Sequence, residues 1–155
     1  MGFMNTINIV GSGLTAQQLR LDIVAENVTN SQTTRTENGG GAYRRKMVVF
    51  EAVSGRDTFR DAMARASARA VPNGSSAPTA GGVRVTQIVE DESPLKIVYD
   101  PTHPDADENG YLEMPNVDMV LEIADAMAAS RAYASNVTAF NTLKSVLSSG
   151  LEIGR

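Results

Sequence analysis

The residues best suited to chemistry gather between Asp100 and Gly110. Asp105-Ala106-Asp107-Glu108-Asn109-Gly110 reproduces the first half of a calcium loop, in which alternate oxygen-bearing side chains turn toward one cation. The second half is missing. Position twelve of such a loop, where a bidentate Glu should close the cage, holds Asn116, and Pro101 and Pro104 forbid the entering helix. A turn rich in Pro, Asp, Asn and Gly accounts for the same residues. His103, the one histidine, lies beside Asp100, Asp105 and Asp107, and an imidazole among carboxylates can act as a general base. No nucleophile or oxyanion donor stands at a recognisable spacing from it, so it reads as a hydrogen-bonding member of the turn. Gly11-Ser12-Gly13 falls inside a helical pattern, and Gly39-Gly40-Gly41 precedes a strand rather than the helix N-terminus that a phosphate cradle needs. With no cysteine, thiolate metal sites, disulfides and thiol nucleophiles are excluded. The expectation is a protein with no catalytic residues, no metal and no cofactor.

The elements that would position any site are clearest at the two ends. Ile7, Val10, Leu14, Gln17, Leu21, Val24 and Val28 are spaced alternately three and four apart, the seam of a coiled-coil-like helix. Asn5 or Thr6 is the expected cap and Asn30-Ser31 the expected stop, giving a rod of ~36 Å. Gly11 and Gly13 each cost ~1 kcal/mol against Ala, so this helix needs a partner. Toward the C-terminus, Asn116 is the expected N-cap, with Asp118 and Glu122 in the first turns where the helix dipole favours acids. Met119, Ile123, Ala126, Tyr133, Val137, Phe140, Leu147 and Leu151 then hold the same spacing, with Ser130 and Lys144 as polar interruptions, over ~50 Å. The fold class expected is mainly α with a small β-rich middle: long N- and C-terminal helices packing as a coiled-coil-like antiparallel pair, short strands and loops between them. Neighbouring molecules would supply further helices.

Three segments follow: residues 1–30, a loop and β-rich middle over 31–115, and residues 116–155. In the middle, Tyr43–Phe50 reads as a strand, 54–70 as a thin amphipathic helix, and 72–82 as a loop. Val83–Val85 and Leu95–Tyr99 read as two strands joined around Glu-Asp-Glu-Ser-Pro. Aromatic residues make up only 5% of the 155, so burial falls to aliphatic side chains and the core should be thin. The net charge of −4 argues against nucleic acid and anionic membranes. Residues 34–70 carry eight basic against four acidic side chains, and residues 90–125 carry eleven acidic against Lys96 alone. That asymmetry gives either two solvated faces or a surface matched to a neighbour's, with Arg44, Arg45 and Lys46 set against Glu90, Asp91 and Glu92. No apolar run reaches the length of a membrane span, and no Sec-type leader is visible.

Three stretches carry a resemblance: LDIVAENVTN (21–30), YDPTHPDADENGYLEMPNV (99–117), and residues 119–155 with Arg131-x-Tyr133 and Ser135-Asn136-Val137. Together with YRRKMVVFE (43–51) they make the chain similar to the bacterial flagellar axial proteins, the rod and hook family. Residues 52–82 depart from the pattern as a variable insertion. The resemblance implies a structural subunit of the proximal rod, the periplasmic drive shaft of the basal body. Such a subunit is exported through the flagellar type III apparatus without a cleaved signal and polymerises through its terminal helices. It implies as partners copies of itself, other rod subunits and the adaptor to the membrane ring, with no nucleic acid and no small-molecule substrate. To the heptad positions it adds Asn27, Asn30, Met127, Arg131 and Asn136 as assembly residues. The paired asparagines would serve as a helix stop or bond to a neighbouring backbone. A helical adaptor that does not polymerise is the alternative, and it would remain in small stoichiometric complexes.

Overall fold

A computed structural model describes residues 3–36, 41–54 and 80–153. Two long helices, α1 (Phe3–Thr29) and α2 (Met119–Ile153), enclose four strands: β1 (Lys46–Ser54), β2 (Ala80–Glu90), β3 (Lys96–Tyr99) and β4 (Tyr111–Met114). The helix read over 54–70 falls outside the described residues except at its first residue, as does most of the loop read over 72–82. The last three residues of that loop, Ala80–Gly82, begin β2 instead.

The helices run antiparallel. Gly13 faces Asn136, Arg20 pairs with Asp125, and Asn27 meets Glu122. Gly13 sits where a Cβ would lie 3.0 Å from the Asn136 amide nitrogen, so its helical cost is offset by close approach of the two helices. The face that α2 turns to α1 runs through Glu122, Asp125, Ala129 and Asn136. That is one residue ahead of the apolar stripe read from sequence. Met119, Ile123, Met127, Phe140, Leu147 and Leu151 are consequently exposed in the single chain.

The expected caps are corrected at both starts. Asn5 and Thr6 lie inside α1. Asp118, not Asn116, caps α2, its Oδ1 accepting the amides of Val120 at 2.9 Å and Leu121 at 3.5 Å. Asn116 is drawn away because its amide spans three backbone groups, accepting from Arg45 N and donating to Asp91 O and Ser93 O.

The strands form two antiparallel pairs. β1 and β2 match from Lys46↔Glu90 to Ser54↔Ala80, with register shifts after Val49 and Ala52. β3 and β4 match from Lys96↔Met114 to Tyr99↔Tyr111. The hairpin expected between Val83–Val85 and Leu95–Tyr99 is therefore replaced. The long strand β2 finds in β1 a partner of similar length, and pairing there also lets it lie on α1. An Asp91–Ser93 turn, with Ser93 N bonded to Asp91 Oδ1 at 2.9 Å, then redirects the chain. β1 starts at Lys46 rather than Tyr43 because the Arg45 amide is taken by Asn116.

The β1–β2 ribbon is fastened to α1 near Ser12. Gly82 has φ 95°, and a Cβ on it would lie 2.3 Å from Ser12 Oγ. That hydroxyl accepts the Val83 amide at 3.1 Å while donating to Ile9 O at 2.7 Å. The buried apolar residues are few, among them Ala16, Ile23, Val24, Tyr43, Leu112, Val117 and Ala129. Among the described residues the largest fully buried side chains are Glu122, Asn27 and Pro115, so polar groups sit at the centre of the described fold.

Candidate assembly interface

Three segments distant in sequence meet at Asn27. Its Oδ1 accepts Lys46 N and Tyr43 Oη, both at 2.9 Å, while Nδ2 donates to Lys46 O at 2.9 Å and Glu122 Oε2 at 3.1 Å. Both lone pairs and both protons of the amide are thus used, which is what a side chain 1% exposed requires. Glu122, 0% exposed, accepts Arg45 Nε on its other oxygen at 2.6 Å. Arg45 Nη1 reaches Asp91 at 3.8 Å, and Lys46 pairs with Glu26 while lying 5.5 Å from the centre of the Tyr43 ring. Burial, with the nearby carboxylates of Glu26, Glu122 and Glu90, pushes the Tyr43 phenol up to about 12. A cleft of about 290 Å³ opens beside this knot. Its carboxylates, Glu122 and Asp125, are both committed to arginines. The arrangement fixes helices and offers no free acid or base.

Asn30 acts at the helix end, donating to Glu26 O at 2.9 Å and accepting Thr33 Oγ1 at 3.1 Å. The two roles expected for the asparagine pair are therefore divided: Asn27 binds a neighbouring backbone and Asn30 stops the helix. The basic triplet is engaged within its own chain. Arg45 pairs with Asp91, Arg44 Nη1 approaches Asp91 O at 3.4 Å, and Lys46 pairs with Glu26. Of the basic and acidic triplets read from sequence, Arg45 and Asp91 thus meet within one chain.

The expected assembly residues separate into three groups. Leu21, Val24 and Val28 of α1 line a groove of about 830 Å³ with Ile123, Met127 and Arg131 of α2, Asp22 standing on the α1 side. Ile7, Val10, Leu14, Tyr133, Asn136 and Val137 are half-buried nearer the other end of the helix pair. Met119, Phe140, Leu147 and Leu151 are exposed and lie outside the groove. Sequence reasoning missed Glu122, Tyr43, Arg45 and Asn116 as a cluster. A signal existed in the charged Glu122, which lies one heptad before the buried Ala129.

In the acidic turn, Asp105 pairs with Arg35 at 2.7 Å and accepts Thr34 Oγ1 at 2.8 Å. Asp100 accepts the Thr102 hydroxyl and amide, which hold its carboxyl below the usual range. His103 Nδ1 accepts the Asp105 amide at 3.1 Å. No group of three metal-ligating side chains converges among the described residues.

The chain is thus a long antiparallel helix pair, locked at one end by polar side chains and carrying an open apolar groove. Two family models match the chain: flagella basal body rod protein over residues 7–35, and the flagellar basal body rod FlgEFG protein C-terminal over residues 108–153. The chain is 40% identical to the flagellar basal-body rod protein FlgC of Borreliella burgdorferi, over 99% of this chain and 98% of that protein. It is 39% identical to FlgC of Bacillus subtilis and 38% to FlgC of Salmonella typhimurium, over the whole of both chains in each case. The chain belongs to the FlgC family of flagellar basal-body rod proteins.

Proposed function

We propose that the chain is a structural subunit of the flagellar basal-body rod that polymerises through its terminal helices into the shaft carrying torque from motor to hook. The observation that carries this reading is the groove. Six residues chosen from heptad spacing and family resemblance line one apolar trough that none of the described residues fills. A trough of this kind gains free energy by taking a helix from a neighbour, at roughly 25 cal/mol per Å² of apolar surface covered. The partners are copies of this chain, other rod subunits and the adaptor to the membrane ring. The chain reaches the periplasm through the flagellar export apparatus without a cleaved signal, and it performs no catalysis.

The test is complementation of a motile bacterium lacking its own FlgC. The wild-type gene restores swimming, and the protein is recovered in purified basal bodies. Leu21→Asp places a charge in the groove and abolishes both, with protein synthesis unchanged. His103→Ala, outside the groove, leaves both intact. Recovery of the wild type only in small soluble complexes would identify the adaptor instead.

A further inference from the structure

β3 is exposed along its whole length, and among the described residues β4 is its only strand neighbour. Asp100 N bonds to Gly110 O at 2.9 Å, one step beyond the Tyr99↔Tyr111 pair. Tyr111 O turns away from β3 and accepts Asp107 N at 2.8 Å. Antiparallel pairs alternate between bonded and unbonded, so Lys96 and Val98 bond to β4 while Ile97 and Tyr99 point N–H and C=O outward. No turn or loop among the described residues takes these groups. Native edge strands are commonly guarded by a charged side chain, a proline or a bulge. Lys96, the one charge on β3, is drawn off to Val117 O at 2.6 Å, and the strand holds no proline and no register shift.

The outward face of the hairpin is apolar. Ile97 is 70% exposed and Tyr99 65%, and the Tyr99 and Tyr111 rings meet edge to face at 5.3 Å. Ile97, Tyr111 and Leu112 line a pocket of about 340 Å³ with Asp107 and Glu113. Unlike Asp105, neither of these carboxylates is in an ion pair among the described residues. None of these residues lines the groove between the helices, so this is a separate surface.

We infer that β3 is a docking edge, taking as a third strand an extended basic segment of another protein. Charge selects the occupant. Residues 90–125 hold eleven acidic side chains against Lys96 alone. Two copies joined through their β3 edges would bring two such faces together, which like-charge repulsion opposes. A basic strand is attracted instead. Glu113 stands opposite Ile97, two strand spacings or ~10 Å from the backbone of an added strand. An arginine or lysine beside Ile97 lays its stem over that side chain and carries its charge to Glu113 and Asp107. The residue two places along lies beside Tyr99 and is apolar. Backbone bonds to Ile97 and Tyr99 supply affinity, and these two side chains supply selectivity.

The probe is a short synthetic peptide of threonines carrying an arginine and a valine two places apart, added to the isotope-labelled full chain. At saturation it should slow hydrogen exchange at the Ile97 and Tyr99 amides at least tenfold and leave the amides of β2 unchanged. A peptide with glutamate for the arginine, and one N-methylated at the arginine and valine nitrogens, should each bind at least tenfold more weakly. Glu113→Lys, at an exposed position, should weaken the arginine peptide to the same degree, with unchanged circular dichroism confirming the fold. The N-methylated peptide needs no change in the protein, so it tests the edge even if the variant unfolds. Unslowed Ile97 and Tyr99 amides, equal slowing in β2, equal binding by either altered peptide, or a folded Glu113→Lys that binds normally overturns the inference. Slowing of the same two amides when the chain alone is concentrated also overturns it, by identifying a second copy as the occupant.

Discussion

Replacing Arg45 with Met should destabilise the chain by about 3 kcal/mol, although the side chain is about a quarter exposed. The Glu122 carboxylate, 0% exposed, would lose the Arg45 Nε bond at 2.6 Å, leaving only the Asn27 amide as donor. Breaking one side of a fully buried pair costs about 3–5 kcal/mol, and water reaching residue 45 argues for the low end. A fold of this size holds only about 5–15 kcal/mol, so the loss is large. Glu122→Gln should cost less, about 1–2 kcal/mol. Arg45 can turn to Asp91, but a Gln amide that accepts from Arg45 presents NH₂ to the Asn27 donor. In the double variant the Gln amide is free to rotate and accept from Asn27, so the cost should fall short of the sum by about 1 kcal/mol or more. Urea titration reads this directly. With a slope of about 2 kcal/mol per molar, Arg45→Met lowers the midpoint by about 1.5 M. A shift under about 0.5 M, or an additive double variant, would show that the knot behaves like a solvated surface pair.

Gly82→Ala should cost about 2 kcal/mol or more, from its positive φ and the Ser12 hydroxyl, whereas Gly11→Ala, with open space around it, should stabilise the fold by about 0.5–1 kcal/mol through helix propensity and so raise the melting temperature. Tyr43 titrates at about 12 in the fold against 10.0 free, and only its neutral form suits the site. Its contribution is therefore complete below about pH 10 and is lost as pH rises toward 12; Tyr43→Phe should flatten that alkaline decline in melting temperature. The Asp91 carboxyl is held below its usual range, first by the Ser93 hydroxyl and amide, so its share of stability is present above the free pKa and lost on acidification; Ser93→Ala should lessen that acid sensitivity. Hydrogen exchange on the monomer should be slowest at 23–29 and 122–129, around the knot, and fastest beyond residue 146, where α2 extends past the described start of α1.

The two helices were legible because period and length survive without knowledge of the partner. The face that α2 turns to α1 was less so, because its contacts are made by Glu122, Asp125, Ala129 and Asn136, residues that hydrophobic periodicity counts as surface or filler. The apolar stripe was real but falls on the side of α2 left exposed in the single chain. Strand pairing failed for a related reason. Adjacency in sequence favoured a hairpin through Asp91–Pro94, yet β2 has in β1 a partner of like length across residues 55–79, and β4 was hidden in a segment dominated by turn residues. Asn27 and Asn30 were singled out, but only the structure joins Asn27 to Glu122, 95 residues away.

The β1–β2 ribbon touches α1 by hydrogen bonds at two places, Asn27 with Lys46 and Ser12 with Val83. Along the helix those points are fifteen residues apart, ~22 Å. Along the ribbon, Lys46 to Ala52, the partner of Val83, is ~20 Å. A hairpin held at one point swivels like a flag on a pole. Held at two points whose spacing agrees on both bodies, it behaves as a welded bracket, and a sideways load on its strands becomes a couple acting on the helix. That mounting lets a load pass between the strands and the helix without slack.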